Sequence, residues 1–264
     1  MTAGLISGSH LITLGRHGME KVIEIKNLTK VYSNGRGIKD ISLDIFQGDI
    51  FGFLGPNGAG KTTAMKIMTG LVRPERGDVK IFGYSVLEEY ELAMKEVGCL
   101  IEIAEAYPYL SAFDNLKQLA RYYPDVDDKR IDEVLELTGM IKYKQEKPKK
   151  FSLGMKQRLG LAAAVLSRPK VVILDEPLNG LDVEGMIAIR KMILHLAEQE
   201  QTTFFISSHL IHDVELTCNR IGVIYDGKML NVESTPNILK NYATLENYFV
   251  SEVERYGRVS SSAD

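Results

Sequence analysis

Apolar and polar residues alternate over Val22–Ile25 and again over Ile41–Ile45, the period of half-buried strands. A short apolar run, Asp49–Phe53, stops just before Gly55 and reads as a strand covered on both faces. The period then changes. Lys61–Leu71 carries Ala64, Ile67, Met68 and Leu71 on one helical face. Asp78–Phe82 and Val97–Ile101 return to strand character. From about residue 106 to 165, Leu116, Leu119, Ala120, Ile131, Val134, Leu135 and Leu137 recur at helical spacing, broken by Pro124 and Pro148, which predicts a helical lobe. Strands follow at Val171–Leu174, Thr203–Ser207 and Arg220–Tyr225. Between the first two lies a helix over Met186–Glu198, with Ile187, Ile189, Met192, Ile193 and Leu196 on one side. Asp226-Gly227 marks a turn. The chain is helical again from about Thr235 and ends in a polar, Ser-rich stretch, 251–264, expected to fray. Strands alternating with helices imply an α/β fold, a mostly parallel sheet with helices on both faces.

The chain has 264 residues, 45% of them hydrophobic and 25% charged, enough for one large domain with a lobe inserted in it. A formal net charge of -3 gives no sign of a nucleic-acid binder. Cys99 and Cys218 have no His or Cys at metal-ligand spacing and read as reduced thiols in a cytosolic protein. No stretch approaches the roughly 20 apolar residues of a membrane span. Residues 1–18 read as a loose extension or an expression remnant, with Met19 as a candidate natural start and the domain proper over 19–250.

Two segments carry the chemistry. Gly55-Pro56-Asn57-Gly58-Ala59-Gly60-Lys61-Thr62 matches G-x-x-x-x-G-K-[ST] between a strand and a helix, and Thr63 follows it. The glycines let the backbone approach phosphate oxygens, and the amides form an anion nest at a helix N-terminus. Lys61 supplies charge against the β- and γ-phosphates, and the Thr62 hydroxyl suits Mg²⁺. Further on, Val171–Leu174 delivers Asp175 and Glu176 at a strand's C-terminal end, where open α/β sheets place their ligands. Asp175 is read as holding Mg²⁺ through water and Glu176 as polarising the attacking water. ATP and Mg²⁺ are therefore the expected cofactors, and ATP hydrolysis the expected reaction.

With these motifs in order, residues 21–250 resemble the nucleotide-binding subunit of ATP-binding cassette (ABC) transporters. The resemblance implies a P-loop NTPase (RecA-like) core with an N-terminal antiparallel β subdomain and an inserted helical lobe. It also gives further residues a role. Phe151-Ser152-Leu153-Gly154-Met155 stands where the family signature, usually Leu-Ser-Gly-Gly-Gln, is found. In the family the signature of one protomer caps the nucleotide of the other, so Ser152 and Gly154 are expected to act in trans. Asn179-Gly180-Leu181-Asp182 resembles the loop that crosses the dimer interface, and Asp182 also suits an N-cap. His209 matches the histidine that touches the γ-phosphate and holds Glu176, and Tyr32 the aromatic that stacks on adenine. Glu102 stands where a metal-ligating Gln is usual. Glu102 and Ser-Leu-Gly-Met both resemble the antibiotic, bacitracin and lantibiotic export branch, and Leu245-Glu246-Asn247-Tyr248-Phe249 resembles a short segment of drug-export ATPases.

The resemblance thus implies the energy-coupling subunit of an exporter of a drug, antibiotic or peptide. It would work as a homodimer beside integral membrane permease subunits, peripheral on the cytoplasmic face of the membrane, with no nucleic-acid partner. Tyr107, Tyr109, Leu110 and Phe113 are the expected apolar contact for the membrane subunit. The basic run Lys142, Lys144, Lys147, Lys149 and Lys150 reads as a solvated linker. A soluble ABC ATPase acting in assembly or regulation is the alternative.

Overall fold

The structure, a computed structural model, describes residues 20–102 and 105–261, with side chains to 258. The expected extension at 1–18 lies outside these residues. In chain order the elements are β1 (Lys21–Val31), β2 (Gly37–Phe46), β3 (Ile50–Leu54), α1 (Lys61–Met68), β4 (Arg76–Ile81), β5 (Tyr84–Ser85), α2 (Tyr90–Met94) and β6 (Val97–Leu100). A helical stretch follows, α3 (Ala112–Ala120), α4 (Asp128–Leu137) and α5 (Leu153–Ala164). The chain then alternates β7 (Val171–Asp175), α6 (Val183–Gln199), β8 (Thr203–Ser208), α7 (Ile211–Thr217) and β9 (Arg220–Tyr225). It closes with β10 (Lys228–Ser234), α8 (Thr235–Asn241) and α9 (Leu245–Ser261).

One sheet is antiparallel, in the order β2-β1-β4-β5. The other runs β10-β9-β3-β8-β7-β6 and is parallel except at the β9–β10 hairpin. Asp226 and Gly227, both at positive φ (47° and 73°), close that hairpin. The strands β3, β7 and β8 are buried along their whole length, and their residues divide by parity between two cores. Ile50, Leu54, Val172, Leu174, Phe204 and Ile206 face the core shared with the lobe and α6. Phe51, Phe53, Val171, Ile173 and Phe205 face the core shared with α1 and the antiparallel sheet. Each large apolar side chain buried this way contributes about 1.5–3 kcal/mol.

The lobe is an insertion between neighbours, because β6 and β7 pair in parallel on either side of it. Its helices start at side-chain caps. Ser111 accepts from Asp114 N–H, Asp127 from Arg130 N–H and Ser152 from Met155 N–H. Arg130, almost wholly buried, pins the lobe to the core. Its guanidinium donates to the carbonyls of Val165 (2.7 Å) and Leu166 (3.1 Å) and pairs with Glu133 and Glu200.

Three sequence expectations shift. Leu71 is 64% exposed and not on the buried face of α1, because the helix ends at Met68 and Gly70, at φ 72°, turns the chain away. Ile187 is exposed while Ile189, Met192, Ile193 and Leu196 are buried, so the apolar face of α6 is narrower than its composition suggests. The last helix continues past residue 250 to Ser261. There Tyr256 meets the ring of Tyr225 edge-on at 6.0 Å, a contact between elements far apart in sequence.

Candidate active site

The phosphate loop leaves β3 at Leu54 and enters α1 at Lys61. Gly60, the residue before the helix, has φ 105°. A Cβ there would also stand 2.5 Å from Ile38 Cγ2 and 2.8 Å from the Gly37 carbonyl, so both backbone angle and space require glycine. Lys61 is nearly buried. Its Nζ donates to the carbonyls of Gly55 (2.7 Å) and Pro56 (3.3 Å) and pairs with Glu176 Oε1 at 3.2 Å. A cavity of about 300 Å³ opens over this loop. Asn57, Gly58, Gly60, Lys61, Thr62 and Thr63 form its floor, with Glu176 on one wall and Tyr32 on another. Tyr32 presents an exposed ring rather than a core one. Gly55 and Ala59 are buried beneath, and the Ala59 N–H donates to the Pro56 carbonyl to close the turn. Asn34 and Arg36, which the motifs did not single out, also line the cavity. They sit in the β1–β2 loop, whose approach to the phosphate loop depends on sheet packing.

Asp175 ends β7 and is buried. Ser207 of β8, its register partner, donates to Asp175 Oδ1 at 2.5 Å and accepts the Glu176 N–H at 3.0 Å. Glu176 turns out of the strand at φ 48°, a left-handed conformation that a non-glycine residue adopts at a cost of about 1 kcal/mol or more. That turn sends its carboxylate to three partners. Oε1 meets Lys61, and Oε2 meets both His209 Nδ1 (2.9 Å) and, more weakly, the His209 N–H (3.4 Å). Lys61, Glu176 and His209, read as separate motifs in the sequence, thus form one continuous network at the C-terminal ends of β3, β7 and β8.

A second cavity of about 240 Å³ adjoins the first through Glu176. It is lined by Glu102, Leu153, Gln157, Asp175, Asn179 and Gly180 as well. Glu102, at φ 65°, pairs with Lys66 Nζ of α1 at 2.6 Å. That contact raises the Lys66 ammonium above its ordinary range, chiefly through the hydrogen bond to Glu102. The carboxylate expected to ligate metal is therefore engaged by Lys66, a partner that sequence spacing did not suggest. A divalent cation still fits the donors here. The Thr62 hydroxyl and the Asp175 carboxylate are hard oxygen ligands, and Asp175 has one oxygen fixed by Ser207. Among the described residues no three His, Cys, Asp or Glu side chains form a metal cage. Mg²⁺ does not need one, since substrate phosphates and water complete its shell.

Ser152 and Gly154 line neither cavity. Ser152 is exposed and caps α5. Gly154 backs onto the 179–182 loop so closely that a Cβ would stand 2.9 Å from the Gly180 carbonyl. Asn179, Gly180 and Asp182 are exposed and Leu181 is partly covered. Asp182 also caps α6 through the Gly185 N–H at 2.9 Å. The signature and this loop pack against each other, and Leu153, Asn179 and Gly180 line the second cavity beside Glu176.

A groove of about 480 Å³ lies between α3 and α5, where Tyr107, Leu116, Leu119, Tyr122, Leu159 and Ala163 meet Lys156, Glu105 and Arg121. Of the aromatic and apolar residues expected at a partner contact, Tyr107 lines it and Tyr109, Leu110 and Phe113 do not. Phe113 packs against the lobe core, with Lys117 and Lys144 over its ring. Asn115 holds the loop above, accepting from the Tyr107 N–H and donating to the carbonyls of Tyr107 and Ser111.

Residues 38–179 match the family model described as "ABC transporter". The chain is 43% identical over 231 residues to the uncharacterized ABC transporter ATP-binding protein YhcH of Bacillus subtilis (strain 168), covering 88% of this chain and 75% of the relative. It is 40% identical over 212 residues to the bacitracin transport ATP-binding protein BcrA of Bacillus licheniformis, covering 80% of this chain and 69% of that one. Its fold is similar to a dimeric, post-hydrolysis structure of the ATP-binding cassette MJ0796 bound to ADP and Pi. There the TM-score is 0.73 at 25% identity, over 81% of this chain and 98% of that chain. Motif order, strand-tip geometry and these likenesses agree, and the chain belongs to the ABC transporter family as an ATP-hydrolysing, ATP-binding subunit.

Proposed function

We propose that the chain powers an exporter of a drug, antibiotic or peptide, closing as a homodimer around ATP beside separate permease subunits. The observation that carries the catalytic part is the unbroken network Lys61–Glu176–His209, of which Lys61 and Glu176 line the phosphate-loop cavity. Tyr32 offers a flat face to adenine. The Gly55–Thr63 backbone cradles the phosphates, and Lys61 exchanges its carbonyl and carboxylate partners for phosphate oxygens. Glu176, freed from Lys61, orients water in line with the γ-phosphate and accepts its proton, while His209 keeps the carboxylate aimed. Thr62 and Asp175 would hold Mg²⁺, with Glu102 within the same pair of cavities, and the ion when bound neutralises phosphate charge.

The dimer is supported by the exposure of Ser152, Asn179, Gly180 and Asp182, which suits contact with a partner's nucleotide, and by the dimeric state of the related cassette. Export of an antibiotic is supported by the likeness to BcrA. A permease is supported by the groove between α3 and α5, where an apolar floor is rimmed by charges of both signs. No helix among the described residues is long and apolar enough to cross a membrane. The reading places the chain at the cytoplasmic face of the membrane, beside such a partner.

Two measurements test the reading. Glu176→Gln should bind ATP, fail to turn it over and elute as a dimer in ATP and Mg²⁺. An unchanged monomer elution with wild-type turnover sinks the assignment. Affinity purification of the tagged chain from its native membrane should recover an integral membrane protein, and a Tyr107→Ala, Leu119→Ala variant should recover less.

A further inference from the structure

We propose that Ser207 is a positioning residue for hydrolysis, one hydroxyl that sets Asp175 and Glu176 in a common register. The proposal rests on reading those two carboxylates as the metal-holding and water-activating groups. Ser207 lies in the run Thr203-Phe204-Phe205-Ile206-Ser207-Ser208, a strand buried from end to end. A hydroxyl in such a place is costly if left without partners. Ser207 has no solvent exposure, and its hydrogen-bonding capacity is directed at the site. The O–H donates to Asp175 Oδ1 at 2.5 Å, a short bond to a charged acceptor, and the oxygen accepts the Glu176 N–H at 3.0 Å.

The two bonds do different things. The first commits one Asp175 oxygen to the protein and fixes the carboxylate's rotation. The second ties down the backbone of Glu176 at the point where it turns to φ 48°. The direction of the Glu176 side chain toward Lys61 and His209 depends on that turn. Parity explains why position 207 can do this. Asp175 and Ser207 are register partners on adjacent parallel strands, and both continue the face of Ile173 and Phe205, the face covered by α1. Neither neighbour on β8 could substitute. Ile206 belongs to the opposite core, and the Ser208 hydroxyl accepts the Leu210 N–H.

A residue that merely satisfied buried groups would affect folding and every ligand alike. A positioning residue affects metal and turnover selectively. The test uses the full chain as wild type, Ser207→Ala, Ser207→Thr and Asp175→Asn. Mn²⁺ binding is followed by electron paramagnetic resonance with a non-hydrolysable ATP analogue. Turnover, analogue affinity in EDTA and melting temperature are measured beside it. Ser207→Ala should weaken Mn²⁺ binding and lower kcat by about 10- to 100-fold, the usual effect of removing a group that orients a ligand. Analogue affinity in EDTA should stay at the wild-type value, and Ser207→Thr, which keeps the hydroxyl, should recover both losses. If Asp175→Asn weakens Mn²⁺ binding and Ser207→Ala does not, the inference fails alone. If Asp175→Asn also leaves Mn²⁺ binding intact, the reading of the site fails and takes the inference with it. Equal loss in Ser207→Ala and Ser207→Thr, in step with EDTA affinity and melting temperature, would assign Ser207 a structural role only.

Discussion

The strand tips and the loops around them are built on opposite terms. At the tips, Lys61, Asp175 and Ser207 are each under 9% exposed, and each has a named protein partner. In the loops, Glu102, Leu153, Asn179 and Tyr109 stand in solvent, Tyr109 at 65% exposure. Both regions store backbone strain, at Glu176 (φ 48°) and at Glu102 (φ 65°). The inner strain is held by Ser207, Lys61 and His209 together, whereas Glu102 has one exposed ion pair. The difference teaches where each task sits. The groups proposed to break the bond are held in place by the core itself. The surfaces that the proposed second subunit and permease would meet are left incompletely covered.

Substitutions that cross this boundary should differ in size and kind. The largest effect belongs to Glu176→Gln, with kcat down by about 10² to 10⁴ and nucleotide binding intact, read by phosphate release and fluorescent-ATP titration. Next comes Gly60→Ala. A methyl group at φ 105°, pressed on Ile38 and the Gly37 carbonyl, should destabilise the chain by about 1–3 kcal/mol in urea and weaken ATP binding. A wild-type urea midpoint would show that the loop is not held as tightly as the tips imply. The smallest effect belongs to Lys66→Ala, which removes the partner of the exposed Glu102 at a stability cost of at most about 1 kcal/mol. Glu102 raises the Lys66 pKa, so this contribution is present at neutral pH and is lost on the alkaline side as strong alkali removes the lysine proton. Stability that instead fell between pH 6 and 8 in wild type but not in Lys66→Ala would contradict that sign.

Legibility followed the same boundary in part. The phosphate loop could be read from Gly55–Thr63 alone, because glycine geometry and a lysine at the helix start are local requirements. Asp175 and Glu176 could be read from the end of an apolar strand. Ser207 could not. A serine in a strand signals nothing until the register with Asp175 is known, and that pairing spans two strands joined by a whole helix. Arg36 and Lys66 were hidden for the same reason, since their partners arrive from other elements. Tyr107, Tyr109, Leu110 and Phe113 looked alike as an apolar patch. Asn115 and the lobe core separate them, turning Tyr107 to the groove and Phe113 inward. The polar composition past residue 250 suggested fraying, yet the helix continues there with Tyr256 against Tyr225 and beneath Lys228.

Short-range chemistry was therefore enough to point to the nucleotide loop, the carboxylate pair, most of the core strands and the presence of an inserted lobe. Those features depend on residues within a few positions of one another, through turns, caps and periodicity. Packing decided the rest. It joined Lys61, Glu176 and His209 into one network, gave Glu102 to Lys66, and left the signature residues Ser152 and Gly154 out of the phosphate-loop cavity. Each of these depends on a distance between strands or helices far apart in sequence, and such distances exist only once the two cores have closed.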